Sequence, residues 1–210
     1  MSSRHPASVR KKVAREAAVL LYTSQEKEFK QAKLKAAKTL GTRMLPSNLE
    51  VAVELDQVAE EYEGQQRSKR LIQMRREALG IMQCLGSFNP RLKGSVWRGT
   101  THRNSDIDVT VFSSNSEDVV NKLRRSGFGI AKQERASKVT NGDLEESLHI
   151  YVYLPSSNEA EIVVRLPEKM GQEETCEIYG DPVKGLSITQ LESVIEENPT
   201  RRFLPDSVRT

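Results

Sequence analysis

The sequence predicts an α+β protein, with a helical N-terminal part followed by a small mixed β-sheet and flanking helices. Two observations carry this. From Ser8 to Leu85, apolar residues recur at helical spacing in four runs separated by Ser, Gly and Pro. From Phe88 the period changes to two, most clearly in Ile107, Val109, Val111 and in Leu148, Ile150, Val152, Leu154. The change divides the chain into 1–86, all helical, and 87–210, expected to hold four or five strands and a last helix.

The first helix is expected over Ser8–Thr23, with Val13, Ala17, Leu20 and Leu21 on one stripe. Ser24 is placed to cap a second helix reaching Leu40, which Gly41 closes. Ser47-Asn48-Leu49-Glu50 has the form of a capping box and opens a third helix that Gly64 ends. A fourth runs from Gln66 to Leu85, striped by Leu71, Met74, Ala78, Ile81 and Met82. In the second part a strand ends over Leu92–Gly94, another starts at Asp106, and a helix from Asn115 stops at Gly127. Residues 129–140 are polar and read as a strand less clearly, and Asn141-Gly142-Asp143 reads as a turn. Leu148–Leu154 and Glu161–Leu166 form an antiparallel hairpin across Pro155-Ser156-Ser157-Asn158. Cys176–Tyr179 is expected as a short strand, and Ser187 caps a final helix to Glu197.

Composition narrows the classes. The 210 residues suffice for a core in one domain or two small ones. No apolar run approaches membrane-spanning length, so no membrane partner is expected. Arg4, Arg10, Lys11 and Lys12 precede only a short apolar patch, unlike a secretory leader, and the expected location is cytoplasmic. Cys84 and Cys176 lack metal-ligand spacing, and three histidines argue against a histidine-rich zinc site. The net charge of +3 hides an asymmetry. Residues 1–43 carry eleven Lys/Arg against three Glu, a net of +8, while the remainder carries twenty-one against twenty-six acids, a net of −5. The second-helix lysines spread over more than one face, the pattern of a solvated surface, and tilt only slightly toward an RNA partner.

The chemistry concentrates in Lys93–Phe112, KGSVWRGTTHRNSDIDVTVF. Alternation puts Ile107, Val109 and Val111 on one face of a strand and Asp106, Asp108, Thr110 and Phe112 on the other. Two unpaired carboxylates so close repel, and a divalent cation removes the repulsion; Mg²⁺ takes carboxylate and phosphate oxygens together. Ahead of them, Gly94 allows close backbone approach and Ser95 begins a short helical turn with unpaired amides, a phosphate-binding device. Arg98 adds a planar donor fork suited to phosphate. A glycosyltransferase Asp-x-Asp pair is an alternative, but it leaves the Gly-Ser-Val-Trp-Arg-Gly prefix without a role.

In this order and spacing, Gly94, Ser95, Arg98, Gly99, Thr100, Ser105, Asp106 and Asp108 resemble the DNA polymerase beta-like nucleotidyltransferase superfamily. The pattern is most similar to that of the archaeal and bacterial minimal nucleotidyltransferases. The resemblance implies transfer of a nucleoside monophosphate from an NTP to an acceptor hydroxyl, with Mg²⁺ in a two-metal site. It implies that Asp106 and Asp108 bind metal and that the Gly94 backbone, Ser95 and Arg98 hold phosphates. It further implies a third carboxylate on a neighbouring strand, acting as general base and metal ligand. Glu161 fits that place, where the family more often has Asp, and Glu159 is its rival. The acceptor stays open among RNA, a protein hydroxyl and a small molecule. A non-catalytic nucleotide- or RNA-binding module of the same fold, and a regulatory enzyme acting on a partner protein, are the competing classes.

Overall fold

A computed structural model describes residues 6–140 and 143–208. Four helices come first: α1 (Pro6–Tyr22), α2 (Phe29–Thr39), α3 (Asn48–Glu63) and α4 (Gln65–Cys84). Then follow β1 (Arg91–Leu92), α5 (Gly94–Arg98), β2 (Ile107–Phe112), α6 (Ser116–Arg125), β3 (Ile130–Thr140), β4 (Asp143–Tyr153), β5 (Glu159–Arg165) and α7 (Ile188–Glu197). The fold is the α+β arrangement expected.

Local chemistry sets most helix ends. The α3 capping box forms in both directions: the Glu50 amide donates to Ser47 Oγ at 3.1 Å, and the Ser47 amide donates to Glu50 Oε2 at 2.7 Å. Ser187 and Gln190 build the same box on α7. Asn115 caps α6 through the Glu117 amide. Ser24 does not cap α2. It sits at φ +56 in the turn that ends α1, and α2 starts only at Phe29 after an extended Glu28. The turn uses its amide, bonded to Leu21 O, to close α1, which leaves no helix start for its side chain.

The sheet order is β1-β2-β5-β4-β3. β2 and β5 are parallel and the other pairs antiparallel. The hairpin partners β4 and β5 pair as expected, but β4 starts earlier, at Asp143, and β3 spans the polar stretch. Of the expected turn, residues 141 and 142 lie outside the described residues. Leu166 is exposed rather than on the core face, because β5 ends at Arg165. Cys176–Tyr179 is a turn, closed by the Gly180 amide on Cys176 O, and not a strand.

Helices α4, α5, α6 and α7 pack on the face carrying Ile107, Val109, Val111, Ile150 and Ile162, all fully buried. Helices α1, α2 and α3 form separate small clusters, where Ala17, Ala32 and Ala36 permit close helix approach. Arg75 on α4 is 0% exposed and works as a clamp. Its guanidinium donates to the carbonyls of Val96 (3.1 Å), Trp97 (2.9 Å), Pro199 (2.8 Å) and Arg201 (2.8 Å). It thereby ties α4 to α5 and to the chain after α7. Burial lowers its pKa to about 10, so the cation persists at neutral pH. Arg75→Met removes the donors and strands four carbonyls. A loss of about 3–5 kcal/mol is expected in chemical denaturation; a change below 1 kcal/mol would refute the clamp.

Candidate active site

The other face of the sheet carries the carboxylates. Asp106 immediately precedes β2, Asp108 lies within it, and Asp108 pairs in register with Glu161 on β5. One oxygen from each of Asp106, Asp108 and Glu161 lies within 4.8 Å of the others. Parallel pairing at ~4.8 Å strand spacing produces this meeting, because residues in register present side chains to the same face. Glu159, the rival, is exposed at the start of β5.

The charges strain against each other. Burial, then Asp106 and Glu161, push the Asp108 carboxyl up to about 8. Burial, with smaller contributions from Glu161 and Glu159, raises Asp106. A divalent cation with hard oxygen preference suits this all-carboxylate donor set.

Glu161 is held from the β4 side. His149 Nδ1 lies 2.7 Å from Glu161 Oε1, and Ser147 Oγ lies 2.9 Å from His149 Nε2. The Glu161 carboxylate near the Tyr151 hydroxyl raises the Tyr151 pKa. The period-2 pattern of 148–154 already put His149, Tyr151 and Tyr153 on one face; their partner became visible only in the register.

Gly94 opens α5 against the metal-type carboxylates. Its φ is +64, and a Cβ placed there falls 1.7 Å from Asp108 Oδ2. Only glycine fits. The Lys93 amide donates to Asp108 O at 2.8 Å, which seats the start of α5 beside β2. Ser95 lies in the first turn of α5, and its carbonyl accepts from the amides of Gly99 and Thr100.

Arg98 is placed differently from expectation. It is 4% exposed and makes a bidentate pair with Asp181, Nη1 to Oδ2 at 3.1 Å and Nη2 to Oδ1 at 2.7 Å. It also donates to Phe203 O and lies 4.5 Å from the Trp97 and Tyr179 ring centroids. Through Nη1 and Nη2 it anchors α5 to Asp181 and to the chain at Phe203. Asp181 stands eighty-three residues away, and no local pattern signals the pair. Lys93 is a cation on the carboxylate side that sequence reasoning missed. Its Nζ pairs with Glu174 at 2.8 Å, and burial with nearby Arg165 lowers its pKa to about 8.

The helical part secures the loop that delivers Asp106. Arg67 Nε donates to Thr101 O at 2.7 Å, the Arg103 amide to Glu63 Oε1 at 2.8 Å, and Asn104 Nδ2 to Tyr22 O at 2.7 Å. Two surface grooves of about 500 and 530 Å³ lie on α1 and α3, and neither includes a residue of the triad.

Three convergent carboxylates on an open sheet face, beside a glycine-opened helical turn, form a donor set that could hold a metal ion. Residues 90–174 match the family model described as a nucleotidyltransferase domain. The resemblance carried by Gly94 to Asp108 is thereby borne out over β1 through β5 and into the following loop. A structure of Cid1 in complex with the UTP analogue UMPNPP aligns with 48% of this chain at 15% identity and a TM-score of 0.33. The aligned part spans 32% of that chain. No curated protein matches the sequence. Among the described residues, no helix is long and apolar enough to cross a membrane.

Proposed function

We propose that this protein is a nucleotidyltransferase that moves a nucleoside monophosphate from an NTP to an acceptor hydroxyl, releasing pyrophosphate. The meeting of Asp106, Asp108 and Glu161 within 4.8 Å supports this most directly. Asp106, Asp108 and Glu161 would hold Mg²⁺, as a pair of ions. Bound there, the metal supplies charge neutralisation for the phosphates and lowers the cost of ionising the acceptor.

The remaining roles fall to side chains and backbone. Glu161 takes the acceptor proton as the acceptor oxygen bonds the α-phosphorus and the bond to the β-phosphate oxygen breaks. His149 orients its carboxylate. The first amides of α5 and the Ser95 hydroxyl receive the β- and γ-phosphates, with Gly94 leaving room for their approach. Arg98 enters this reading as the anchor of α5. Catalysis belongs to residues 87–210 together with α4, which shares their core, and α1–α3 form the accessory part.

The test is label transfer. Each NTP labelled at the α-phosphate is supplied with Mg²⁺, total RNA and a cell extract, beside an Asp106→Asn/Asp108→Asn double variant. Label moving to an acceptor only with the intact carboxylates is expected. No transfer by the intact protein, although it binds NTP, would overturn the reading in favour of a non-catalytic nucleotide-binding module.

A further inference from the structure

Two cations bracket α5, and the chain between β5 and α7 supplies an acid to each. Arg98, the last residue of α5, pairs with Asp181, and Lys93, just ahead of Gly94, pairs with Glu174. The two pairs differ in kind. Arg98 is buried, grips both oxygens of Asp181, donates to Phe203 O and lies against the Trp97 and Tyr179 rings. Lys93 meets one oxygen of Glu174 at 2.8 Å, and the Glu174 side chain keeps 34% of its surface in water. Breaking the first pair would strand a buried charge, whereas a partly exposed single contact exchanges at little cost. Lys93 is therefore the cation that can change partners.

Its place points to the new partner. Leu92 is in register with Val109, and the Lys93 amide donates to Asp108 O, so Lys93 stands opposite Asp108. Leu92 is buried in the core and the Lys93 backbone is still extended, so alternation turns Lys93 to the carboxylate face. Arg165 turns to the same face, because Ala160, Ile162 and Val164 on its strand are buried on the other. Glu174 pairs with Arg165 as well. One carboxylate from the chain after β5 thus lies across two cations, on the sheet face that carries Asp106, Asp108 and Glu161.

That charge arrangement is the one a metal–polyphosphate would complete, with Glu174 standing where phosphate oxygens would lie. A carboxylate brings one charge and two oxygens. A triphosphate brings more of both, and a metal at the triad would hold it in reach. A lysine suits an exchangeable contact, being a flexible point charge and not a fixed fork. We propose that Lys93 is a ligand of the β- and γ-phosphates of the NTP, and that Glu174 occupies its ammonium until the nucleotide displaces it. The identity of the anion rests on the nucleotidyltransferase reading.

Opposite signs test it. Full-length protein with Mg²⁺ is titrated in a calorimeter with inorganic tripolyphosphate, which carries the phosphates without a base, and with each NTP. Lys93→Met is expected to weaken both about 10- to 100-fold, the value of hydrogen bonds to a charged group. Lys93→Arg keeps the charge and holds affinity within about fivefold. Glu174→Gln removes the competing charge and tightens both ligands about three- to tenfold. The Lys93→Met/Glu174→Gln double variant binds no tighter than Lys93→Met, because the competitor then has nothing to release. A lysine that only ties down the chain after β5 gives another pattern: both single variants lower the melting temperature, and Glu174→Gln weakens binding or leaves it unchanged. That pattern, or Lys93→Met binding as tightly as the unaltered protein, overturns the proposal. If the variants bind as expected but the unaltered protein transfers no label, the enzyme reading falls and the phosphate contact stands in a nucleotide-binding module. If label moves and Lys93→Met leaves affinity unchanged, the enzyme reading stands and the proposal falls. The gain expected of Glu174→Gln requires a folded protein, so misfolding cannot imitate it.

Discussion

Asp108→Asn is expected to abolish transfer and, without metal, to stabilise the fold. The carboxyl ionises near pH 8 in the folded protein against 3.8 for the unperturbed group, chiefly through burial and then through Asp106 and Glu161. Between those values the folded state holds a proton that the unfolded chain has lost. Stability therefore falls as pH rises from about 4 to about 8, and the contribution is fully present below the unfolded pKa. Asparagine imitates the protonated state at every pH. Asp108 keeps some solvent contact, and an effect of about 1–2 kcal/mol at pH 8 is expected. Chemical denaturation in EDTA at pH 5 and pH 8 checks this. The variant should gain on the unaltered protein more at pH 8 than at pH 5, the difference closing only below about pH 4, while Mg²⁺ should rescue only the unaltered protein. Parallel pH profiles would remove the assigned strain. The loss in transfer rate should reach about 10³-fold or more, as for removal of a fixed charge-stabilising group.

Gly94→Ala carries the second large effect. The new methyl meets Asp108 Oδ2 at 1.7 Å, and the backbone sits at φ +64. The left-handed conformation costs ~1–2 kcal/mol for a residue with a Cβ, and the overlap adds a packing cost of similar size, so a loss of about 2–4 kcal/mol is expected. The overlap also displaces Asp108 from Asp106 and Glu161, so transfer should fall with stability. Gly127→Ala is the control. Its φ is +84 but nothing lies within 4 Å of the added methyl, so it should lose about 1 kcal/mol and keep full transfer. Equal activity of the two variants would show that contact with Asp108 is immaterial.

Much of the site was legible because its parts are close in sequence. The two aspartates share a face through a spacing of two, and Gly94 read as a point of close backbone approach toward phosphate; that Asp108 Oδ2 is what a Cβ there would meet came from the structure. Glu161 was legible as an acidic residue leading an apolar strand, but not as the partner of Asp108. That depends on β5 inserting between β2 and β4 and pairing parallel to β2. Arg98 marks the opposite case. A guanidinium one turn after Gly-Ser reads as a phosphate ligand, until Asp181 and Phe203 O take its donors from far along the chain.

The same division runs through the fold. The sequence by itself determined the helices with their capping boxes at Ser47 and Ser187, the period-two core strands, and the carboxylate pair, since each follows from backbone geometry within a few residues. The tertiary structure alone decided the strand order, the Arg75 clamp, the burial of Arg98, and the meeting of Glu161 with both aspartates. Those rest on hydrogen bonds and charges between residues tens of positions apart, whose pairing is set by how whole elements pack and not by any local preference.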